Sequence, residues 1–186
     1  MPPQAKVTRQ MILDAAFALA REEGHEGITA RRLAAKLNCS TQPILYQFDS
    51  VEQIVEETYR RADQFHTARL LEGLDKETQP LLALGLRYIR FGAEEKMLFR
   101  FLFQSDRFSG RSLEDMLRDE DAAPLLGLIR QSEGASPEEA LKMFPALFSA
   151  VHGYASLLAN NAMAWSEQAA ADMLLTLFGM MMPEGK

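Results

Sequence analysis

The sequence predicts an all-α fold, and three observations predict it. Apolar residues recur at spacings of three and four along nearly the whole chain. No run alternates with period two for long enough to make a strand. Glycine, asparagine and serine or threonine fall where helix ends and N-caps require them. The predicted architecture is a three-helix unit over residues 1–50, followed by a larger helical domain over residues 51–186.

The elements follow in order. Thr8 is a plausible N-cap for a first helix whose buried stripe is Ile12, Ala15, Ala16, Leu19 and Ala20, ending before Gly24 and Gly27. Thr29 caps a second helix, ARRLAAKL, with Leu33, Ala34 and Leu37 turned inward. Asn38, Cys39 and Ser40 make a tight turn, and asparagine tolerates the left-handed backbone such a turn needs. With Ser40 as N-cap, Thr41, Gln42 and Pro43 are the first positions of a third helix. The N–H groups of a first turn have no intrahelical partner, so the proline forfeits no ladder bond.

Ser50 caps a long fourth helix that stops at Gly73, and a fifth starts near Thr78–Pro80 with LLALGLRYIRFG. MLFRFLFQ follows; the stretch 107–123 is more polar and has no clear helix boundaries. PLLGLIRQ reads as a short helix ended near Gly134. Ser136, Pro137 and Glu139 supply an N-cap, a first-position proline and a capping-box glutamate for a helix running to about Ala164. Ser166 caps the last helix, which ends near Pro183.

Composition bounds the function. The chain has 186 residues, 47% of them hydrophobic and 25% charged, ordinary values for a globular protein. No uninterrupted apolar run is long enough for a membrane span, and MPPQAKVTRQ has no signal-peptide core. The lone Cys39 fits a reducing compartment, so a cytoplasmic location is expected. The net charge of −6 divides unevenly: residues 1–50 carry +1 and the remainder −7.

A helix, a three-residue turn and a short second helix, packed on a preceding one, is helix-turn-helix geometry, in which the second helix enters the major groove of DNA N-terminus first. Thr41 and Gln42 lie at that tip. Glutamine pairs with adenine through two hydrogen bonds, and the carbons of Thr41 and Pro43 suit a thymine methyl. Tyr46 and Gln47, one turn on, reach phosphates or bases. Ile44 and Phe48 anchor the helix inward. Thr29, Arg31 and Arg32 suit a phosphate at the start of the second helix.

Residues 7–59, with ILDAA in the first helix, the Gly24–Gly27 link, Thr29 followed by Leu33-Ala34, and the apolar-aromatic run ending at Phe48, resemble the N-terminal domain of TetR-family transcriptional regulators. The chain departs from that pattern at Asn38 (usually Gly), Leu45 (usually Tyr) and Val51 (often Lys). YIRFGAEEKMLFRFLFQSDRF and ALFSAVHGYASLLANN resemble the regulatory domain of a subgroup with a late His-Gly pair, here His152-Gly153. The resemblance implies a ligand-responsive repressor that binds a palindromic double-stranded DNA operator as a homodimer. It also implies a ligand cavity in the C-terminal domain and dimerisation through the last two long helices.

The residues add their own indications. Phe144 and Val151 on the penultimate helix, and Met173, Leu177 and Met180 on the last, are expected at the subunit interface. Phe99, Phe103, Phe148 and His152 are expected to line a cavity for an apolar small molecule, or else to be ordinary core. No cofactor or metal is expected. Asp63 and His66 share a helical face, but the matching pair Glu22 and His25 straddles the helix-ending Gly24. No phosphate loop, zinc-ligand cysteine spacing or nucleophile elbow is present, so an enzyme is not expected. The alternative function is a helical ligand- or partner-binding module without specific DNA affinity.

Overall fold

The helical periodicity is realised among the described residues. A computed structural model describes residues 7–105, 115, 122–161 and 163–181. Among them lie nine α-helices and no strand. They are α1 (Arg9–Glu23), α2 (Ala30–Lys36), α3 (Gln42–Gln47), α4 (Val51–Leu71), α5 (Pro80–Glu94), α6 (Lys96–Phe103), α7 (Ala122–Glu133), α8 (Pro137–Asn160) and α9 (Glu167–Met181). The expectations placed on 107–123 fall, but for Asp115, Ala122 and Ala123, outside the described residues, as does Pro183.

Packing divides the chain into two units. Unit one comprises Met1–Thr67 and Glu95–Ser105; unit two comprises Ala68–Glu94 and Asp106–Lys186. This partition by packing differs from the division at residue 50, which rests on the helix-turn-helix motif.

In unit one, Thr8 Oγ accepts from the Met11 amide at 3.2 Å to open α1. Gly24, at φ +73°, closes it with an N–H donated to the Ala20 carbonyl, a left-handed geometry that favours glycine. α1 packs on α2, α3 and α6, and α2 packs on α3. Ile12, Ala16 and Ala20 are fully buried, as are Leu33, Ile44 and Ile54. From α6 come Leu98, Phe99, Phe101 and Leu102, so four of the seven residues of MLFRFLF are spent on core. Glu95, just before α6, is also buried; the Arg21 Nε donates to it at 2.8 Å, and a second nitrogen of the same guanidinium completes a forked ion pair.

His66 on α4 is 6% exposed and lies edge-on to the Phe103 ring, with centroids 5.2 Å apart. Asp63, which shares a helical face with it, is solvent-exposed. Burial depresses the His66 pKa from 6.5 to about 4. Since the folded pKa is the lower one, this contribution to stability is whole above pH 6.5 and is lost as pH falls toward 4. The expected loss is about 2 kcal/mol by pH 5. Denaturant titrations at pH 7 and pH 5 check it: His66→Leu should lose about that much less than the wild type on acidification, and equal losses would remove His66 as the cause.

In unit two, α5 packs on α8, α9 and α7, and α8 on α7 and α9. The capping box forms as the sequence predicts: Glu139 N–H donates to Ser136 Oγ at 3.2 Å, and Ser136 N–H to Glu139 Oε2 at 2.7 Å. Leu81, Ile129, Ala140, Met143, Phe144 and Leu147 form one buried cluster, and Ile89, Leu158, Ala170 and Leu174 a second. α5 and α8 approach so closely at Gly92 that an added Cβ would lie 2.7 Å from the Ala155 carbonyl oxygen.

Two boundaries differ from expectation. α3 begins at Gln42, one residue later, because Thr41 caps it with helical backbone angles (φ −70°, ψ −21°) and no side-chain hydrogen bond. α8 ends at Asn160 rather than near Ala164. It also continues through Pro145, which lacks an N–H and interrupts the ladder by one bond without ending the helix.

Candidate nucleic-acid interface

The interface is built on the short helix α3. Asn38 takes φ +51°, and the chain reverses between α2 and α3 there, with Asn38 N–H and Cys39 N–H donating to the Ala35 and Ala34 carbonyls. Ile44 (0% exposed) and Phe48 (2%) point inward and fasten α3 to unit one. The opposite face carries Thr41, Gln42, Leu45 and Tyr46, all exposed, Tyr46 at 88%. Pro43 and Gln47 are half-buried at its flanks.

Arg9, at the start of α1, clamps the far end of this helix. Its Nη1 donates to the Gln47 carbonyl at 2.8 Å, its guanidinium carbon sits 4.0 Å over the Phe48 ring, and it pairs with Glu57 of α4. One cation thereby satisfies a terminal carbonyl of α3 and ties three helices together. Sequence reasoning did not find it. Arg9 lies 38 residues from Gln47, and the only sequence signal is a basic residue at the start of the first helix, where the helix dipole would favour an acid.

The expected phosphate contacts divide. Thr29 Oγ accepts from the Arg32 amide at 3.3 Å, the N-cap role assigned from sequence. Arg32 pairs with Glu23, whereas Arg31 is exposed and has no ion-pair partner among the described residues. Three more cations of this unit are engaged: Lys36 with Glu22 at 2.9 Å, Arg61 with Asp14, and Arg21 with Glu95. Most of the positive charge of the three-helix region is therefore locally neutralised.

The four expected ligand-lining residues fall into two groups. Phe99 and Phe103 belong to unit one, with ring centroids 5.0 Å apart, and Phe99 is fully buried. Phe148 and His152 belong to unit two and stack at 5.5 Å, with Tyr88 edge-on to Phe148. Burial pushes the Tyr88 hydroxyl well above its usual pKa and holds His152 below its own. Tyr88 Oη and His152 Nδ1 are hydrogen-bonded at 2.9 Å, the tautomer of the imidazole setting which of them donates. Unit two also carries a groove of about 540 Å³, lined by Thr78, Gln79, Leu82, Gln131, Leu175 and Phe178 among others, and none of the four expected residues lines it.

Of the residues expected at a subunit interface, Phe144 is buried in the core of unit two, so its surface is already covered within the chain. Val151, Met173 and Leu177 are half-buried, and Met180 is 78% exposed. No helix among the described residues is long and apolar enough to cross a membrane, and no three His, Cys, Asp or Glu residues among them converge as metal ligands.

Comparison with known proteins agrees with this architecture. Residues 81–178, more than half of the chain, match the family described as the tetracyclin repressor-like C-terminal domain. A TetR-like transcriptional regulator from Rhodococcus sp. RHA1 has a similar fold, with a TM-score of 0.67 and 19% identity over 96% of this chain and 97% of that one. The multidrug binding protein EbrR, solved in complex with imidazole, has a TM-score of 0.58 and 20% identity over 91% and 88% of the two chains. No curated protein sequence matches.

Proposed function

The chain belongs to the tetracyclin repressor-like family of transcriptional regulators, and from that premise we propose that it is a ligand-responsive repressor that binds a palindromic operator as a homodimer. The observation that carries the DNA-binding part is the polarity of α3: one face buried through Ile44 and Phe48, the other presenting Thr41, Gln42 and Tyr46. A helix held in that way enters a major groove with its exposed side chains foremost. Gln42 reads adenine, Thr41 and Pro43 meet a thymine methyl, Tyr46 and Gln47 extend the contact by a turn, and Thr29, Arg31 and Arg32 meet phosphates.

Two copies supply two readers about 34–36 Å apart, or a multiple of that, for two-fold operators. Val151, Met173, Leu177 and Met180 are the residues assigned to the subunit contact. A largely apolar effector binds in the helical C-terminal domain, and Phe148 and His152 are assigned to it. Occupancy favours a dimer geometry that no longer fits the operator, a coupling worth ~1–3 kcal/mol.

The test is selection of duplexes from a random library by the full chain, followed by anisotropy titration of the recovered sequence at several salt concentrations. A palindromic consensus supports the reading; failure to enrich any sequence sinks it. Because most described cations of the three-helix region are ion-paired, the salt dependence is expected to be shallow. Arg31→Ala should flatten the log–log slope by about 0.9 per subunit. An unchanged slope would take Arg31 off the phosphate backbone.

The same internal ion pairs favour one second reading, a helical ligand- or partner-binding module without operator affinity. Weak binding that shows no sequence preference in the same titrations would select it.

A further inference from the structure

We propose that Leu45 is a sequence reader that recognises the methyl group of a thymine in each operator half-site; the proposal rests on the DNA-binding role of α3. Leu45 is 54% exposed, although the helix has only six residues and buries Ile44 directly before it. A single exposed leucine is ordinary on a protein surface. This one stands three residues after Gln42 and four after Thr41, so all three side chains share one face of α3. That face is the one offered to the groove.

A leucine there has no hydrogen bond to give a base edge and no charge to give a phosphate. The apolar feature that base pairs present in the major groove is the C5 methyl of thymine. Side chains three apart on a helix have Cβ atoms about 5–6 Å apart, and successive base pairs are about 3.4 Å apart along each strand. The thymine read by Leu45 therefore lies within one or two base pairs of the adenine read by Gln42. The tyrosine usual at this position in the resembling family has moved one place on, to Tyr46, and the leucine takes over an inner contact rather than filling core.

The experiment uses the full chain and the duplex recovered from the random library. Each thymine is replaced in turn by uracil, which removes only the C5 methyl. For the wild type, one thymine per half-site, within two base pairs of the position where Gln42→Ala loses selectivity, should show binding weakened ~4-fold per half-site on uracil replacement, the effect of one buried methyl. Leu45→Ala should be insensitive to uracil at that position while keeping its selectivity at the adenine. If Leu45→Ala keeps the full uracil penalty at every thymine, or if no thymine is sensitive in the wild type, the assignment is overturned while the DNA-binding reading stands. If no duplex is enriched at all, both fail together.

Discussion

Gly92→Ala is expected to destabilise the protein by about 1–3 kcal/mol, an overpacking cost that exceeds the helix propensity gained. A Cβ at position 92 would lie 2.7 Å from the Ala155 carbonyl oxygen, 2.8 Å from its Cβ and 3.0 Å from its Cα. Two of these three atoms are backbone, so no side-chain rotation relieves the overlap and α5 must move away from α8. That pair forms the most extensive helix–helix contact of unit two, and the buried residues Ile89, Phe91, Leu158 and Ala159 lie near the crossing in sequence. A larger side chain such as leucine should cost more, because it adds bulk to a gap that does not admit one carbon.

The comparison that isolates packing is Gly127→Ala on α7, where an added Cβ meets nothing within 4 Å among the described residues. There the same change should stabilise by up to about 1 kcal/mol through reduced unfolded-chain entropy. Thermal melts followed by circular dichroism should show opposite displacements, about 2–4 °C per kcal/mol for a chain of this size. A Gly92→Ala protein melting at or above the wild type would mean that the crossing is looser than the geometry indicates.

What the sequence disclosed and what it withheld separate by range. Local chemistry was legible: the Thr8, Thr29 and Ser136 caps, the left-handed Asn38, and the helix stop at Gly24 each depend on a few neighbouring residues. The amphipathic stripe of α1 named its five buried residues correctly. Long-range pairing was not legible. Arg21 meets Glu95 across 74 residues and Arg9 meets Gln47 across 38, and nothing in either local pattern selects the partner.

Burial of a helix with two apolar faces was equally hidden. Phe144 reads as well for a subunit contact as for the core it occupies, and periodicity alone cannot decide which face meets which neighbour. The Phe-rich run shows the same limit. Its apolarity predicted burial, but not that α6 would pack into unit one while α5, one residue earlier in the chain, packs into unit two. At the candidate interface, the inward pair Ile44 and Phe48 was readable from spacing. The outward turn of Leu45 was not, because hydropathy argues for burial and only the packed helix shows otherwise.

Gln42→Ala is expected to lower affinity for the selected duplex by about 5- to 150-fold per half-site, the value of one paired glutamine–adenine contact, while leaving affinity for unrelated duplexes nearly unchanged. The structure permits this separation because Gln42 is exposed, and the anchors that hold α3 lie elsewhere, in Ile44, Phe48 and Arg9. Removing the amide therefore deletes a reader without moving the helix. Arg9→Met supplies the contrast. It leaves every exposed α3 side chain in place but removes the hydrogen bond to the Gln47 carbonyl, the ion pair with Glu57 and the cation over Phe48.

A helix released at its C-terminal end presents all its readers less precisely, so Arg9→Met should weaken binding to every operator variant by a similar factor, with the order of preference among them retained. Titrating both variants against a panel of single-base operator changes distinguishes the two roles. Gln42→Ala should flatten the preference at one base pair per half-site, and Arg9→Met should shift the whole panel. If Gln42→Ala binds every operator variant as the wild type does, Gln42 is a solvated surface residue and base reading falls to Thr41, Leu45 and Tyr46. If Arg9→Met alters preference at a single position instead, Arg9 reaches the DNA itself and is not the clamp its contacts describe.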